Sequence, residues 1–447
     1  MLLAYRGYSV ILFAPVAALA AVLATDPRLV FPFYSGVFMA RLATFVALYF
    51  PVFLLGALFG KLIEISGFAR SITRSLVRVV GPEKAVFSVV VVCALLTYGG
   101  VSLFVVAFSI YPFAAELFRE AAIPKRLIPA SIALGAFTFT MDALPGSPQI
   151  QNIIPTTFFH TDAWAAPRLG LAGGAYVFLA GMTYLEFRRR RAKRAGEGYG
   201  EGHRNEPLPP GAERLPHPAV AVLPLLLVAP LSKLLTLWIG RVYGHSFEIG
   251  SKVAPVDVDA VRAIWALEGA LLAAILLVVF LSFGRIRSAF HSAAGAAVSG
   301  AMLAALNTGS EYGFGAVIAL LPGFKVVNEF LSQAIHNTLL NVAVQTNILA
   351  GITGSASGGM SIVLASMGET YLRQAQAAGV PAEVLHRVTA MASGGMDTLP
   401  HNGAVITLLA ITGLTHRQSY KDIFAMTLIK TTAVVVVIGL YYLFGIS

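Results

Sequence analysis

Long apolar stretches separated by short polar connections dominate the sequence. Each approaches or exceeds the roughly 20 residues that a helix needs to cross the hydrocarbon core of a membrane. The stretch that follows Arg6 resembles a signal peptide, but no convincing small-residue cleavage site precedes Asp26, and we interpret it as the first retained helix. The pattern therefore predicts an all-α, multi-pass membrane protein, with its clearest apolar stretches at 9–24, 41–60, 169–187, 219–239, 260–283 and 423–444.

The composition agrees with this interpretation. The 447 residues are 57% hydrophobic and 12% charged, about half the charged fraction of a soluble domain. The net charge of +10 comes from basic residues in the short connections, which indicates membrane topology rather than a nucleic-acid partner. Cys93 is the single cysteine and lies in an apolar run, so we expect no disulfide and no cysteine metal site. We expect no other metal and no cofactor.

One polar stretch, 188–218, divides the chain into two halves. It opens with the sequence Arg-Arg-Arg-Arg-Ala-Lys-Arg, which the positive-inside rule places in the cytoplasm. Following the spans outward from this linker puts the N-terminus in the cytoplasm and the C-terminus in the periplasm of a bacterial inner membrane. We expect a first repeat at 1–187, a linking helix with an outer loop at 219–257, and a second repeat at 258–447.

Each half contains a pair of apolar arms that are too short to span a membrane comfortably. The first pair, at about 85–118, begins and ends beside basic residues and turns at 97–100. Such a segment fits a re-entrant hairpin whose tip is buried in protein or lines a cavity. A second hairpin is predicted at about 330–374 and enters from the opposite side.

Two short motifs recur in the same order in both halves. A Gly-Gly-X-Ser sequence occupies 99–102 and 358–361, and a Met-Asp-X-Leu-Pro sequence follows it at 141–145 and 396–400. With the topology above, the two units have opposite orientations, which is the inverted-repeat plan of many secondary transporters.

The Met-Asp-X-Leu-Pro motifs interrupt otherwise apolar segments at about 127–160 and 386–414. Proline and glycine remove helical hydrogen bonds there, and the freed backbone groups cannot face lipid. Half-helix N-termini can instead bind an anion, and unwound carbonyls can hold a cation. We therefore expect two broken helices that meet the two hairpin tips at one substrate site.

Candidate residues follow from this arrangement. Hydroxyl groups and glycine amides suit a carboxylate, and the breaks and tips contain no Arg or Lys, so we expect recognition by dipoles rather than by a salt bridge. The predicted substrate contacts are Gly99, Gly100, Ser102, Ser147, Asn152, Ser355, Ser357, Gly358, Gly359, Ser361, His401 and Asn402.

The residues predicted to bind the coupling ion or to shape the breaks are Asp142, Asp397, His401 and Glu311. For the two aspartates, a functional role and a cap on the following half-helix both remain open. His401 either exchanges protons or packs as a neutral histidine, and His336 competes for the proton-exchange role. On one helix face, Asn337, Asn341 and Gln345 either line the pathway or make inter-helix hydrogen bonds.

The second unit carries a recognisable motif. Residues 393–407, with their continuation at 413–422, resemble the gluconate permease (GntP) family, and are nearer to its 3-hydroxybutyrate-type members than to its sugar-acid permeases. The resemblance covers most of the chain and is most specific at 350–422. It implies the ion-transporter-superfamily fold, a scaffold that forms a homodimer, and proton symport of small hydroxy-carboxylates.

We accordingly expect a secondary active symporter that imports a 3-hydroxybutyrate-like monocarboxylate with protons by alternating access, in contact with membrane lipid. The alternative is sodium-coupled transport of a di- or tricarboxylate such as citrate. A remote alternative is an intramembrane aspartyl protease that uses two carboxylates. The Gly-X-Gly-Asp context of such proteases is missing and prolines follow both aspartates, so we expect no enzyme activity.

Overall fold

The computed structural model describes residues 10–80, 84–207, 215–249, 255–323, 326 and 334–447. Arg6 and the predicted start of the second hairpin at 330–333 lie outside the described residues. The described chain is almost entirely helical, with one short antiparallel strand pair, β1 (Ser246–Phe247) and β2 (Val256–Asp257).

The first unit contains nine helices within the described residues. The stretch Pro27–Ile65 includes a 3₁₀ turn and a π turn before its regular part begins at Ala40, and we treat it as one helix. In chain order these helices are α1 (Val10–Thr25), α2 (Pro27–Ile65), α3 (Phe68–Val80), α4 (Ala85–Tyr98), α5 (Leu103–Glu120), α6 (Ile128–Ala136), α7 (Phe139–Asp142), α8 (Ile150–Phe159) and α9 (Pro167–Arg194).

The helices that follow the linker, within the described residues, are α10 (Pro218–Tyr243), α11 (Val258–Ala319), α12 (Thr338–Thr353), α13 (Ala356–Ala377), α14 (Ala382–Gly395), α15 (Gly403–Thr412) and α16 (His416–Phe444). Four helices of the described chain, α2, α10, α11 and α16, are long and apolar enough to cross a membrane. The pairs α4–α5 and α12–α13 occupy the stretches predicted as hairpins. The series α6–α7–α8 and the pair α14–α15 occupy the stretches predicted as broken helices.

Helix α11, of 62 residues, consists of two helices joined at a kink. Its first part contains the apolar stretch predicted at 260–283, and its second part continues to Ala319. At the junction, Ser282 departs from helical geometry, with φ −136° and ψ 27°. Just after the kink, Arg285 donates to the carbonyl of Ser66 at 3.2 Å. The kink therefore falls at the end of the predicted apolar stretch.

The two broken segments run in opposite directions, as contacts at their ends show. At the linker end, Arg126 just before α6 pairs with Glu197 of the linker at 2.7 Å, and Asn205 of the linker donates to the carbonyl of Ala410 in α15 at 2.9 Å. At the other end, Thr161 beyond α8 bonds His386 near the start of α14 at 2.6 Å. The start of one segment therefore lies beside the end of the other.

The first part of the linker, to residue 207, packs on the helix ends through a charged network. Arg126 also pairs with Asp422 at 3.0 Å, and Arg188 pairs with the same carboxylate at 2.7 Å. The hydrogen bond from Arg126 lowers the pKa of Glu197. Lys125 pairs with Glu206 at 2.8 Å. These contacts hold α6, α9, α16 and the linker together at one end of the helix bundle.

Candidate substrate and coupling site

The first break is a turn between α7 and α8. The hydroxyl of Ser147 donates to the carbonyl of Thr140 at 2.6 Å, which closes the turn on itself. The hydroxyl of Tyr98, at the first hairpin tip, donates to the carbonyl of Pro145 at 2.8 Å. Carbonyls that have left the helix are thus bonded by protein hydroxyls, as a buried break requires.

The second break lies between α14 and α15, and Asn402 organises it. The side-chain oxygen of Asn402 accepts from the backbone nitrogens of Ala404 at 2.6 Å and Val405 at 3.2 Å, which makes it the N-cap of α15. Its amide nitrogen donates to the carbonyl of Gly354 at the second hairpin tip at 2.7 Å. One side chain therefore both starts the half-helix and holds the tip.

The first unit has a different residue at the equivalent position, and its side chain bonds the tip without capping the half-helix. Gln149 is the N-cap residue of α8, and its amide nitrogen donates to the carbonyl of Thr97 at the first tip at 2.7 Å. Gln149 was not among the candidates predicted from the sequence. Its position, as the polar residue that directly precedes the second half-helix, is the signal that could have identified it.

The two aspartates do not cap the half-helices that follow them. Of the two interpretations given for these residues, the cap is therefore wrong. Asn402 and Gln149 occupy the cap positions, because each directly precedes its half-helix whereas the aspartates lie several residues earlier. Asp397 instead forms an ion pair with Lys430 of α16. Asp142 packs against Gly394 of the other break, where a Cβ would lie 1.9 Å from its Oδ2. Both carboxylates therefore lie where the two breaks meet.

Two buried cations reach the breaks from α14 and α16, and the expectation that dipoles recognise the substrate stays a prediction. Arg387 of α14 is fully buried and donates to the carbonyls of Asp142 at 3.0 Å and Ala165 at 2.8 Å. Lys430 of α16 is buried, pairs with Asp397, and donates to the carbonyl of Phe137 at 3.3 Å. Each cation belongs to the second unit and bonds the first. The sequence signal that could have identified both residues is a charged side chain within an otherwise apolar segment.

Arg387 also donates to one side chain of the first unit, that of Asn152. Its Oδ1 accepts from Arg387 at 2.8 Å. Its Nδ2 donates to the carbonyls of Ser147 at 2.9 Å and Ala163 at 2.8 Å. Both amide hydrogens of this predicted substrate contact are thus bonded within the first break.

The second tip faces a buried carboxylate on α11. Glu311 is only 5% exposed, and its Oε2 lies 1.8 Å from the place that a Cβ at Gly358 would occupy. Ser355 lies beside this carboxylate and caps α13 by accepting from the nitrogen of Gly358 at 3.0 Å. Glu311 therefore occupies the N-terminus of α13, where backbone N–H groups favour an anion.

Several buried polar atoms around this tip have no hydrogen-bond partner among the described residues. Such atoms normally bond water or a ligand, because leaving them unpaired costs about 1–3 kcal/mol each. They are Ser361 Oγ, Thr346 Oγ1, Asn347 Oδ1, Ser310 Oγ and His401 Nε2.

The first tip is filled by apolar neighbours. A Cβ at Gly99 would lie 2.5 Å from Leu225, and a Cβ at Gly100 would lie 3.3 Å from Pro148. Ser102 begins α5 without making a side-chain cap bond. One buried polar atom at this tip, Thr97 Oγ1, also has no hydrogen-bond partner among the described residues. The two tips are therefore related by the repeat but differ in their surroundings, and the five unpaired polar atoms named above belong to the second.

The remaining predicted residues fall into two groups. At the second tip, Ser357 lies 3.4 Å from Ser355, oxygen to oxygen, and Gly359 packs against Ala350. On α12, Gln345 donates to Asn341 at 2.8 Å, and Tyr371 of α13 donates to the same oxygen at 2.9 Å. Asn341 therefore takes part in the inter-helix hydrogen bonds that were one of its two interpretations.

Comparison with known proteins adds a family. No protein-family model matches the chain. The "Uncharacterized transporter YxjC" of Bacillus subtilis (strain 168) is 54% identical over 458 residues, covering 100% of this chain and 97% of that protein. The chain belongs to the YxjC family of transporters. It is therefore a transporter by family, although the name of the relative specifies neither substrate nor coupling ion.

The fold of this transporter also has a solved counterpart. The crystal structure of the YdaH transporter of Alcanivorax borkumensis, described as having an unusual topology, matches with a TM-score of 0.51 and 17% identity. The match covers 95% of this chain and 90% of that one. At this identity the likeness concerns the fold alone, and it agrees with an all-α membrane protein.

The double role of Asn402 leads to a first prediction. Replacing Asn402 with Ala removes a cap worth about 0.5–2 kcal/mol and frees the carbonyl of Gly354 at the tip. We expect a lower unfolding temperature and faster hydrogen exchange at 354–358, measured by mass spectrometry on the purified transporter. Asn402→Ser keeps a cap and loses the tip bond, so it should restore stability while the tip still exchanges quickly. Unchanged exchange in both variants would contradict the role of Asn402 in holding the tip.

Proposed function

We propose that this transporter imports a small hydroxy-monocarboxylate, of the 3-hydroxybutyrate type, together with protons across the bacterial inner membrane. Its N-terminus and linker face the cytoplasm, its C-terminus faces the periplasm, and transport proceeds by alternating access. The observation that carries the proposal is the carboxylate of Glu311, which lies buried at the N-terminus of α13 beside Ser355 and Gly358.

The N-terminus of α13 is where we expect a substrate carboxylate to bind. Its backbone N–H groups and positive dipole end favour an anion, and the cap residue Ser355 adds a hydroxyl. Glu311 occupies this position in the structure. Two ionised carboxylates about 4 Å apart repel by about 4 kcal/mol at an effective dielectric constant of about 20, which corresponds to roughly a thousandfold in affinity.

Proton coupling follows from this repulsion. The substrate anion binds well beside Glu311 only when Glu311 carries a proton, because the neutral acid removes the repulsion and can donate a hydrogen bond. The described residues provide no cation within ion-pair distance of Glu311 that could do the same. Substrate and proton would then enter and leave together, and Glu311 would be the residue that carries the proton.

The size and polarity of the substrate are inferred from the groups around the second tip. Ser361, Asn347 and His401 offer polar atoms without protein partners, which suit a single hydroxyl group. Both buried cations already bond protein groups in the breaks. A ligand with one negative charge fits these surroundings better than one with three. The resemblance to 3-hydroxybutyrate-type members of the GntP family supports the same class, and implies a homodimer.

Transport into proteoliposomes tests the proposal. With the membrane potential clamped, uptake of labelled 3-hydroxybutyrate is measured under an imposed pH gradient and, separately, under an imposed sodium gradient. We expect accumulation above equilibrium with the pH gradient alone, and competition by other short hydroxy-acids but not by citrate. Accumulation that follows only the sodium gradient would refute proton coupling, and transport of citrate alone would refute the monocarboxylate class.

A second candidate is sodium-coupled transport of a di- or tricarboxylate. It is favoured by the oxygens of Ser361, Thr346 and Asn347, which are buried without partners and are of the type that hard cations prefer. The sodium arm of the same experiment, with labelled citrate as substrate, distinguishes this candidate from the first.

Replacing Glu311 with Gln gives the sharpest test of the coupling step. The variant keeps the size and hydrogen-bonding capacity of a protonated Glu311 but cannot release a proton. We expect exchange of labelled for unlabelled substrate to persist within about threefold of wild type, while accumulation driven by a pH gradient is lost. Glu369→Gln replaces an exposed carboxylate on α13, the helix whose N-terminus Glu311 faces; it is the control and should accumulate normally. Normal pH-driven accumulation by Glu311→Gln would assign the proton to another group.

A further inference from the structure

A groove of about 690 Å³ lies at the linker end of the first hairpin, away from the breaks. It is bounded by the start of α4, the end of α5 and the last turns of α9. Lys84 lies immediately before α4, and Lys193 lies at the end of α9. The groove thus lies in the part of the chain that the positive-inside rule places at the cytoplasmic surface of the membrane.

In the polar part of the groove, the lysines without an ion-pair partner outnumber the carboxylates without one, among the described residues. Glu186 is already paired with Arg189 at 2.6 Å and with Arg190 at 2.9 Å. Lys84 and Lys193 are exposed, and the side-chain amine of neither forms an ion pair or hydrogen bond with another described residue. Glu120 is the other carboxylate of the lining. Two lysines therefore face one unneutralised carboxylate, which favours an anionic ligand.

The rest of the lining is apolar and continues onto the hydrophobic surface of the protein. Val86, Phe87 and Met182 form this wall, and Phe87 is 37% exposed although it lies in an apolar helix. On the same face of the protein, Leu179 and Phe187 of α9 are 62% and 57% exposed. A ligand that fits the groove therefore combines an anionic head with an apolar tail.

We propose that this groove binds an anionic phospholipid. The phosphodiester lies between Lys84 and Lys193, and an acyl chain follows Phe87 and Met182 towards the membrane interior. Basic pockets between membrane helices on the cytoplasmic side suit lipid head groups, and each nearby Lys or Arg adds to the attraction of anionic lipid. The lysine stems can also cover apolar surface while their amines reach the phosphate.

The groove also connects to the first break through aromatic side chains. Phe87 contacts Phe178 of α9 with ring centroids 6.3 Å apart, and Phe178 contacts Phe139 of α7 with centroids 5.8 Å apart. A lipid that packs on Phe87 therefore rests on a row of rings that ends at the broken helix. Lipid binding is expected to stabilise this part of the first unit.

Thermal unfolding of the full chain in a neutral detergent tests the site. Dioleoyl-phosphatidylglycerol is added at a fixed mole fraction and compared with dioleoyl-phosphatidylcholine, with glycerol 3-phosphate and with inorganic phosphate. A ligand that binds only the folded state raises the unfolding temperature. We expect phosphatidylglycerol to raise it by at least about 2 °C more than phosphatidylcholine. An equal shift with phosphatidylcholine, or with glycerol 3-phosphate alone, would overturn the proposal.

Paired substitutions locate the effect. Lys84→Gln with Lys193→Gln removes two positive charges from the groove, and Arg287→Gln with Arg417→Gln removes two exposed charges on other helices. The first pair should reduce the phosphatidylglycerol shift to the phosphatidylcholine level, and the second pair should leave it unchanged. A shift that survives the first pair would refute the site.

A second measurement keeps the test informative if the paired lysine variant does not fold. Phe87→Trp places a fluorophore in the apolar wall of an otherwise unchanged groove. Brominated phosphatidylglycerol should quench the added fluorescence at least about twofold more than brominated phosphatidylcholine at the same mole fraction. Equal quenching by the two lipids would mean that Phe87 meets bulk lipid only, and would contradict the proposal.

Discussion

Replacing Arg387 with Met is expected to lower the free energy of unfolding by about 3–5 kcal/mol and to abolish transport. Arg387 is fully buried and donates to the carbonyls of Asp142 and Ala165 and to the side chain of Asn152. Removing one member of a buried charged network costs about this much, since carbonyls that have left a helix are then unpaired in a place that water does not reach. A residue of the second unit therefore bonds the carbonyls of the first break and stabilises it.

Arg387→Lys should not rescue the loss, because a single ammonium cannot replace the several planar donors of a guanidinium. Both variants are compared by denaturant unfolding of the purified transporter in detergent and by substrate uptake in proteoliposomes. Arg417→Met, at an exposed position of α16, removes the same charge and is the matched control. Stability within about 1 kcal/mol of wild type in Arg387→Met would contradict the role of Arg387 in holding the first break.

Replacing Lys430 with Met is expected to cost about 3 kcal/mol or more, and replacing Asp397 with Asn in addition should recover most of that loss. The ion pair between them is buried and joins α16 to the second break. Removing one partner leaves an uncompensated buried charge, whereas replacing both removes the pair without stranding a charge. Lys430 also donates to the carbonyl of Phe137, so we expect the recovery to be incomplete.

A double-mutant cycle measures this coupling. The unfolding free energies of Lys430→Met, Asp397→Asn and the double variant give the interaction energy between the two sites. We expect a coupling of at least about 2 kcal/mol, because the double variant recovers most of the loss from Lys430→Met. Thr427→Val, one turn earlier on α16 and bonded to Thr398 at 2.7 Å, is a control that disturbs the same interface without a charge. If the losses from the two single substitutions add up to the loss in the double variant, Lys430 and Asp397 do not stabilise the protein through their ion pair.

The membrane helices and the helix breaks of this transporter could be predicted from short stretches of its sequence. Apolar length predicted the membrane helices, and the proline and glycine of the Met-Asp-X-Leu-Pro motifs placed the breaks near residues 145 and 400. These features depend on neighbouring residues only, since helix length and helix termination are set within a few turns. The recurrence of two motifs in the same order also predicted the inverted repeat, because the number of spans between the units fixes their relative direction.

Only the tertiary structure decided how the breaks are bonded. The bond from Arg387 to Asp142 joins residues 245 positions apart, and no periodicity in the sequence relates them. The cap alternative for the aspartates failed because Asn402 and Gln149 lie one residue before their half-helices. Glu311 meets the second tip because the part of α11 beyond the kink at Ser282 packs against α13. Contacts of this kind depend on which helices pack together. That packing depends on residues along the whole chain and cannot be predicted from a few neighbouring positions.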